Sequence, residues 1–370
     1  MRESLEEILQ YMEKHEGETW FKAVAFPLEL FSRSYALALD LRWALREFRA
    51  GVSVPCPVVS VGNITVGGTG KTPAVAWAAQ FLRRKGVRVA IVSHGYGAEG
   101  GSFVLLRNQE PSADVSAIAG DEAVLLSRLL PDVPVASGRK KSAVLLRTWR
   151  KLRPDMIVID DGFQTISIRR DLDIVAVDAT NPWGNGHLIP RGRLREKKEN
   201  LSRADAIVLT RCNQCRGVES LASEIEGLTH APVVRAEHVI SVIRRLDTGG
   251  QVEPKTLSGS TVYAFSAIAN PASFEQTLLE TGATLAGVRR FPDHHFFSTE
   301  DLTEVENEAV LTRATFIVTT EKDAMRLPAA WSLSRGILLL SVGISLNITE
   351  GEEILENLLI GLLTRRRHPS

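Results

Sequence analysis

A glycine-rich run that follows a short apolar stretch carries the clearest chemical signal in the sequence. The run reads Gly62-Asn63-Ile64-Thr65-Val66-Gly67-Gly68-Thr69-Gly70-Lys71-Thr72-Pro73. Glycines let backbone N–H groups turn toward an anion, and the N-terminus of the following helix adds a favourable dipole for phosphate. We expect residues 65–72 to bind the triphosphate of ATP, with Lys71 at the β- and γ-phosphates and the Thr72 hydroxyl on Mg²⁺. The strict pattern has glycine six positions before the lysine, where this chain has Thr65.

Two adjacent carboxylates end a second apolar stretch. Met156–Asp160 is typical of a buried strand, and Asp161 follows it directly. An enzyme with a P-loop needs an acidic residue at such a strand end to hold Mg²⁺, directly or through water. The alternative is an ordinary strand with a capping aspartate in the next turn. Because a P-loop lies upstream, we favour the Mg²⁺ role.

A phosphotransferase also needs a group that positions the acceptor hydroxyl or takes its proton. Gly120-Asp121-Glu122 precedes a helical stretch, and Asp293-His294-His295 brings acid and imidazole groups together in the second half. A lone aspartate at a helix start is usually an N-cap, and adjacent histidines in a loop are usually structural. An Asp–His pair that met across a cleft would be a suitable base, although spacing alone does not establish that meeting.

The elements that must position these residues alternate between strand and helix from Pro55 onward, which predicts βαβ units and a largely parallel sheet. The predicted strands are 57–61, 87–92, 133–136, 156–160, 173–177, 206–210, 262–265, 315–318 and 336–340. The predicted helices include 73–85, 121–130 and 351–363. We expect an α/β fold of two lobes: a P-loop NTPase-like N-terminal lobe with a parallel sheet, and a smaller C-terminal α/β lobe, with a cleft between them.

The expected segments are 1–50, an N-terminal amphipathic helical segment; 51–172, the P-loop lobe; 173–342, the second lobe; and 343–370, a C-terminal helix and basic tail that could pack back on the first lobe. In the first segment, residues 21–48 predict a helix with Leu30, Leu37, Leu41, Leu45 and Phe48 on one face. One interpretation is a surface helix packed on the domain. The other is a helix that lies in a membrane interface, with aromatic and basic residues on its flanks.

Charge and composition exclude several classes of protein. Lys+Arg 44 balance Asp+Glu 44 in 370 residues, and 44% of the residues are hydrophobic, which argues against disorder and against a general polyanion binder such as a nucleic-acid protein. The basic clusters 139–141 and 191–198 are typical of solvated faces, with Arg139 and Arg195 as candidates for phosphate contact. Three cysteines, no secretory signal and no run near the ~18 apolar residues of a membrane span predict a cytoplasmic chain.

In combination, the motifs resemble the tetraacyldisaccharide 4′-kinase family, the lipid A 4′-kinases of Gram-negative bacteria. The resemblance rests on Gly62-Asn63 through Thr72-Pro73, Gly120-Asp121-Glu122, Asp160-Asp161-Gly162-Phe163-Gln164, Gly184-Asn185-Gly186, Leu194-Arg195-Glu196, Asp293-His294-His295 and Thr320-Glu321-Lys322-Asp323. These motifs run in order from about Phe21 to Asp323, and together they are far more specific than the P-loop alone.

The resemblance implies transfer of the γ-phosphate of ATP to the 4′-hydroxyl of a tetraacylated glucosamine disaccharide 1-phosphate. It implies a peripheral enzyme at the cytoplasmic face of the inner membrane, without a transmembrane span. By position, Asp121 is similar to the family's catalytic carboxylate and His294 to its partner, while Asp161 and Glu196 are similar to its Mg²⁺-site acids. The family fold has two α/β lobes joined by a short two-stranded link.

Three positions depart from the family pattern. Thr165 stands where a histidine is usual after the Asp-Asp-Gly-Phe-Gln run, and His94 stands where an arginine is usual. The stretch 190–196 carries two additional arginines, Arg191 and Arg193. These changes leave Lys71 and the other site residues in place.

Two other classes of protein share part of this pattern. A partition-type or regulatory ATPase could use the same glycine-rich loop, but such proteins generally have an extra lysine early in it, where this chain has Val66. A non-catalytic nucleotide-binding module would have no use for Asp121 or His294.

Overall fold

Strands and helices alternate along the chain, as the sequence predicts. The computed structural model describes residues 5–16, 18–45, 51–95, 103–107, 118–328 and 336–365. Its helices are α1 Leu5–His15, α2 Thr19–Ala44, α3 Lys71–Arg84, α4 Asp121–Leu129, α5 Lys141–Leu152, α6 Val218–Glu226, α7 Pro271–Glu280, α8 Thr299–Leu311, α9 Glu321–Ala324 and α10 Glu352–Arg365. Short 3₁₀ helices cover Lys198–Arg203, Cys212–Gln214 and Pro254–Leu257.

The strands are β1 Val58–Gly62, β2 Val89–His94, β3 Val104–Leu106, β4 Val135–Gly138, β5 Met156–Asp160, β6 Leu172–Asp178, β7 Ala206–Thr210, β8 Val233–Arg245, β9 Gln251–Val252, β10 Thr261–Ser266, β11 Thr284–Arg290, β12 Phe316–Thr320 and β13 Leu338–Glu350. Each strand predicted from the sequence overlaps one of these, and β5 and β7 have the predicted bounds.

The unit that contains the glycine-rich loop, here called the P-loop unit, comprises Ile8–Glu110, Val115–Glu237 and Leu346–Ser370. Its strands lie in the order β8-β7-β6-β1-β5-β2-β4-β3. Neighbouring strands from β8 to β4 pair in parallel, and β3 pairs antiparallel with β4. β1 lies between β5 and β6, with Val59 opposite both Val158 and Leu172. All five residues of β1 are buried, as expected for a parallel strand with helices on both faces of its sheet. The expected α/β class with a parallel P-loop sheet is confirmed.

This unit extends further along the chain than the boundary expected at residue 172. β6 pairs with β1, β7 with β6, and the start of β8 with β7, all in parallel register, so these three strands continue the sheet of the P-loop unit beyond residue 172. The C-terminal helix α10 also belongs to this unit, where Trp77 Nε1 donates to Glu352 Oε1 at 3.3 Å. Local sequence patterns predict where strands occur but not which strands pair with each other. The expected boundary at residue 172 therefore differs from that of the unit in the structure.

The second unit comprises Met1–Glu7, Pro111–Asp114 and His238–Ser345. Its parallel strands lie in the order β11-β10-β12-β13. Two groups of buried side chains form its core, one around Phe274 and Leu278 of α7 and one around Leu302 and Val305 of α8. The long strands β8 and β13 each have residues in both units.

Helix α2 packs with a face other than its leucine face. Its buried side chains include Phe21, Ala25, Ser32 and Leu39, whose intervals of four and seven residues place them on one face of a helix. Five apolar side chains on its other surface expose 61–71% of their area: Phe26, Leu30, Phe31, Leu37 and Leu41. The helix therefore packs on its unit, as one of the two interpretations expects, but not through Leu30, Leu37 and Leu41. Phe48 lies outside the described residues.

Candidate active site

The glycine-rich loop connects β1 to α3, and Asn63 holds its shape. The Asn63 amide Nδ2 donates to the Thr65 carbonyl at 2.6 Å and to Thr69 Oγ1 at 2.9 Å. Gly67 and Gly70 have φ values of 108° and 81°, a region that favours glycine because it has no Cβ. Lys71 and Thr72 then begin α3, where backbone N–H groups and the helix dipole attract phosphate.

A second segment of the P-loop unit pairs with this loop. The pairing explains why position 65 can be a threonine where the strict pattern has a glycine. Val66 N donates to Arg193 O, and Arg195 N donates to Ile64 O, both at 2.7 Å. Thr65 thereby forms an antiparallel bridge with Leu194. Its backbone is extended, a conformation that any residue adopts, so glycine is not required at this position.

The turn with the two aspartates is packed closely on the end of β1. A Cβ added to Gly62 would lie 2.5 Å from Phe163 Cβ, so a larger residue at position 62 would displace this turn. Gln164 Nε2 donates to Asn63 O at 2.7 Å. The predicted P-loop and the predicted acidic residues are thus brought together by direct contacts.

Asp161 lies among cations. Its carboxylate accepts two hydrogen bonds from Arg195, at 2.8 and 3.2 Å, and its Oδ1 is 3.8 Å from Lys71 Nζ. Burial would raise the pKa of this carboxyl, but Lys71, Arg195 and Lys141 outweigh burial and hold the pKa well below its ordinary range. Asp161 is therefore ionised at neutral pH. The sequence suggested Arg195 as a phosphate contact and gave no sign of its pairing with Asp161.

Asp160 is buried beside it in a different environment. Ser93 Oγ donates to Asp160 Oδ2 at 2.9 Å, while Oδ1 accepts no hydrogen bond from the residues described in the structure. Burial, followed by the charge of Glu122, raises the pKa of Asp160 to about 7, although Lys141 opposes the shift. The pKa values of these adjacent carboxyl groups thus shift in opposite directions, because the charges of Lys71, Arg195 and Lys141 outweigh burial at Asp161, whereas burial dominates at Asp160.

Asp160→Asn should raise the Tm of the chain more at pH 8 than at pH 5. The pKa of the folded state lies above the ordinary value of 3.8, so folded protein keeps a proton that unfolded protein releases, and stability falls as the pH rises from about 4 to about 7. Asparagine does not ionise and removes this fall. We expect the gain in Tm to be at least about 2 °C larger at pH 8, measured by calorimetry without nucleotide or Mg²⁺.

The exposed Asp132→Asn variant is the control for this measurement, and its Tm should follow the wild type at both pH values. An equal gain for Asp160→Asn at pH 5 and pH 8 would contradict the argument from burial.

Lys141 belongs to this cluster, so its expected place on a solvated face is wrong. It is half-buried at the start of α5, and its Nζ donates to the Asp161 carbonyl. Burial lowers the pKa of Lys141, and burial together with the Lys141 charge lowers the pKa of His94. A run of three basic residues gave no signal that its last member points inward.

Glu196 is buried and has other partners. Its Oε2 accepts hydrogen bonds from Asn200 Nδ2, at 2.8 Å, and from Arg203 Nη2. The Arg203 guanidinium lies over the Phe163 ring, 4.3 Å from its centroid, which connects Glu196 to the acidic turn. Its Oε1 accepts no hydrogen bond within the described ranges.

The oxygen atoms of this cluster are of the type that Mg²⁺ prefers. Mg²⁺ is usually held by one or two carboxylates, with phosphates and water completing its octahedron. The Thr72 hydroxyl, the ionised Asp161 and the buried oxygens Asp160 Oδ1 and Glu196 Oε1 are hard donors of this type. The described residues contain no group of three or more His, Cys, Asp or Glu side chains that would hold a metal without such additional ligands.

Asp121 and His294 lie in different units, and their pairing stays a prediction. Asp121 is the first residue of α4, and the N-cap position belongs to Gly120. The alternative of Asp121 as a simple N-cap is therefore wrong. His294 lies in the loop after β11, with φ 63° and a side chain that is 56% exposed.

A glycine-rich loop between a central parallel strand and a helix, with an ionised aspartate beside its lysine, defines the class of P-loop nucleotide-dependent enzymes. Comparison with known proteins gives the family. The model of the family described as tetraacyldisaccharide-1-P 4′-kinase (LpxK) matches residues 24–363. The chain belongs to this family, whose members act in lipid A biosynthesis.

Curated relatives and a solved structure agree with this assignment. The chain is 37% identical to the tetraacyldisaccharide 4′-kinase of Syntrophus aciditrophicus (strain SB), over 86% of this chain and 88% of that protein. It is 38% identical to that of Anaeromyxobacter dehalogenans (strain 2CP-C), over 89% and 88%. The crystal structure of LpxK from Aquifex aeolicus in complex with ATP is similar with a TM-score of 0.69, at 26% identity, over 92% of this chain and 99% of that chain.

Proposed function

We propose that this chain transfers the γ-phosphate of ATP to the 4′-hydroxyl of a tetraacylated glucosamine disaccharide 1-phosphate. The observation that carries the proposal is the contact of the P-loop with the acidic turn, within a chain whose family match covers residues 24–363. ATP is bound in the related LpxK structure from Aquifex aeolicus, which supports ATP as the phosphate donor.

The P-loop residues 65–72 hold the triphosphate, with Lys71 at the β- and γ-phosphates. Thr72, Asp161 and Glu196 are the residues that would hold Mg²⁺, which when bound supplies charge neutralisation at the phosphates. Arg195 and Lys141 place further positive charge around Asp161. This electrostatic arrangement suits phosphoryl transfer, since that reaction depends mainly on positioning and charge stabilisation.

Asp121 acts on the acceptor. Its carboxylate takes the proton of the sugar hydroxyl as the oxygen attacks the γ-phosphorus, and His294 orients that carboxylate. The bond between the γ-phosphorus and the β,γ-bridging oxygen breaks, and ADP leaves with the pair of electrons.

The test of the proposal is formation of the product. Purified chain, radiolabelled ATP, Mg²⁺ and detergent-dispersed disaccharide 1-phosphate lipid should yield a lipid with one additional phosphate, identified by mass spectrometry. The same lipid without a 4′-hydroxyl should stay unlabelled. Steady ATP hydrolysis at a rate that does not depend on the lipid would instead support the regulatory ATPase.

We also propose peripheral binding to the cytoplasmic face of the inner membrane through α2. Among the described residues, no helix has the length and apolar character needed to cross a membrane. The exposed side chains of Phe26, Leu30, Phe31, Leu37 and Leu41 form an apolar surface on α2. An apolar helix surface with charged neighbours, such as Arg33, is suited to the boundary between headgroups and acyl chains.

Replacing Leu30, Leu37 and Leu41 by serine should weaken membrane binding at least about tenfold. Burial of a leucine side chain stabilises by about 1.5–3 kcal/mol, and about 1.4 kcal/mol corresponds to a factor of ten. Cosedimentation with phosphatidylethanolamine–phosphatidylglycerol vesicles measures the change. Leu311→Ser is the matched control, because Leu311 is 81% exposed on α8. Unchanged binding of the triple variant would mean that α2 is not the membrane contact.

A further inference from the structure

Two aromatic rings, those of His295 and Phe297, anchor the loop between β11 and α8, and the His294 side chain between them is exposed. The His295 ring stacks on Phe291, with centroids 5.0 Å apart, and its Nε2 is 2.9 Å from Asp301 Oδ2. Phe297 is buried against the Phe265 ring. His294, between these anchored neighbours, has a positive φ and a mostly exposed side chain. The loop therefore holds a histidine at a fixed place on the surface of its unit.

The segment from Thr320 to Arg326, which the proposed reaction does not use, forms the support of this loop. Asp323 Oδ2 accepts hydrogen bonds from Thr320 Oγ1 at 2.7 Å and from Ala267 N at 3.1 Å. Arg326 Nη2 is 3.6 Å from Asp323 Oδ1, and its Nη1 donates to the carbonyls of Ala267 and His295, both at 3.4 Å. A buried ion pair by itself is weak evidence of stabilisation. The hydrogen bonds of this pair go to the backbone beside His294, which indicates a role in positioning.

Lys322 connects the same segment to the residue that precedes His294. Lys322 Nζ is 3.7 Å from Asp293 Oδ1, and Asp293 Oδ2 is 3.9 Å from His294 Nε2. Asp293 Oδ1 is buried and accepts no hydrogen bond from the described part of the chain. Because a buried carboxylate oxygen without a donor is costly, the nearby ammonium is the group that compensates it.

We propose that Lys322 is a positioning residue for phosphoryl transfer: it holds the Asp293 carboxylate, and Asp293 in turn holds the imidazole of His294 in the orientation that the reaction needs. Asp323 and Arg326 fix the backbone on which this contact is built. The inference rests on the proposed role of His294. Lys322 itself touches neither ATP nor the acceptor.

The test compares Lys322→Met and Lys322→Arg with the wild-type chain. The methionine variant keeps the aliphatic stem and loses the charge, so its kcat should fall about tenfold, with KM for ATP and for the lipid within about twofold. The arginine variant restores the charge and should recover at least about half of the wild-type kcat. The Tm of the methionine variant should fall by only about 2–4 °C, because the Asp293 oxygen loses its compensating charge but both side chains are partly exposed. Lys255→Met, at an exposed lysine of the same unit, is the control and should leave kcat unchanged.

A double-mutant cycle shows whether Lys322 acts through His294. In a His294→Ala chain, Lys322→Met should cause no further loss of kcat, because the group that it positions is absent. Wild-type kcat in Lys322→Met, a loss confined to KM, failure of arginine to restore kcat, or an additive loss in the His294→Ala chain would each overturn this inference alone. Absence of lipid phosphorylation by the wild-type chain would overturn the proposed function, and the inference with it.

Discussion

Lys71→Met should lower the rate of lipid phosphorylation by about 10³-fold or more. Lys71 is the first residue of α3, at the end of a loop whose shape Asn63 and two positive-φ glycines maintain. In the proposed reaction its ammonium contacts the β- and γ-phosphates, and groups that stabilise the transferring phosphoryl in a water-poor site typically contribute at this level. Methionine has a similar length and no charge, so it tests the charge more than the packing.

The measurement is kcat and KM for ATP with saturating lipid, together with ATP affinity by calorimetry. We expect ATP affinity to fall about 10- to 100-fold, since in the proposed reaction the charge contacts ATP in the ground state as well as in the transition state. Lys151→Met, at an exposed lysine on α5 in the same unit, should behave as the wild type. A Lys71→Met chain with wild-type kcat would exclude the loop from the reaction.

The second large effect is expected for Asp121→Ala, with a fall in kcat of about 10²-fold or more and little change in ATP affinity. Asp121 is the first residue of α4, after Gly120 at the N-cap position. Removal of a base that acts on the acceptor hydroxyl should affect the chemical step, whereas the proposed binding of the triphosphate depends on the P-loop and not on Asp121.

Asp132→Ala is the matched control, because Asp132 is an exposed aspartate close in sequence to α4. Single-turnover kinetics with prebound ATP separate the chemical step from product release. Near-normal single-turnover rates in Asp121→Ala would remove this carboxylate from the mechanism. A large loss of ATP affinity would instead give it a role in nucleotide binding.

Much of the fold was predictable because its strands and helices depend on local chemistry. β5 and β7 have their predicted bounds, since short apolar β-branched runs between polar turns suit buried parallel strands. The P-loop was predictable for the same reason: its glycines, its lysine and its flanking strand and helix are adjacent in the sequence. The long strands β8 and β13 were harder, because each has residues in two units and mixes buried with half-buried positions.

The sequence by itself determined the α/β class, the P-loop and the family, because these depend on residues that are close together or on motifs in a fixed order. Only the tertiary structure decided that Arg195 pairs with Asp161 across 34 positions and that Lys141 turns toward that same aspartate. It also decided that α2 exposes Leu30, Leu37 and Leu41 and buries another face. Those outcomes depend on which elements become neighbours in the fold and on the free energy of burying a charge. The spacing of residues along the chain determines neither the neighbours nor that free energy.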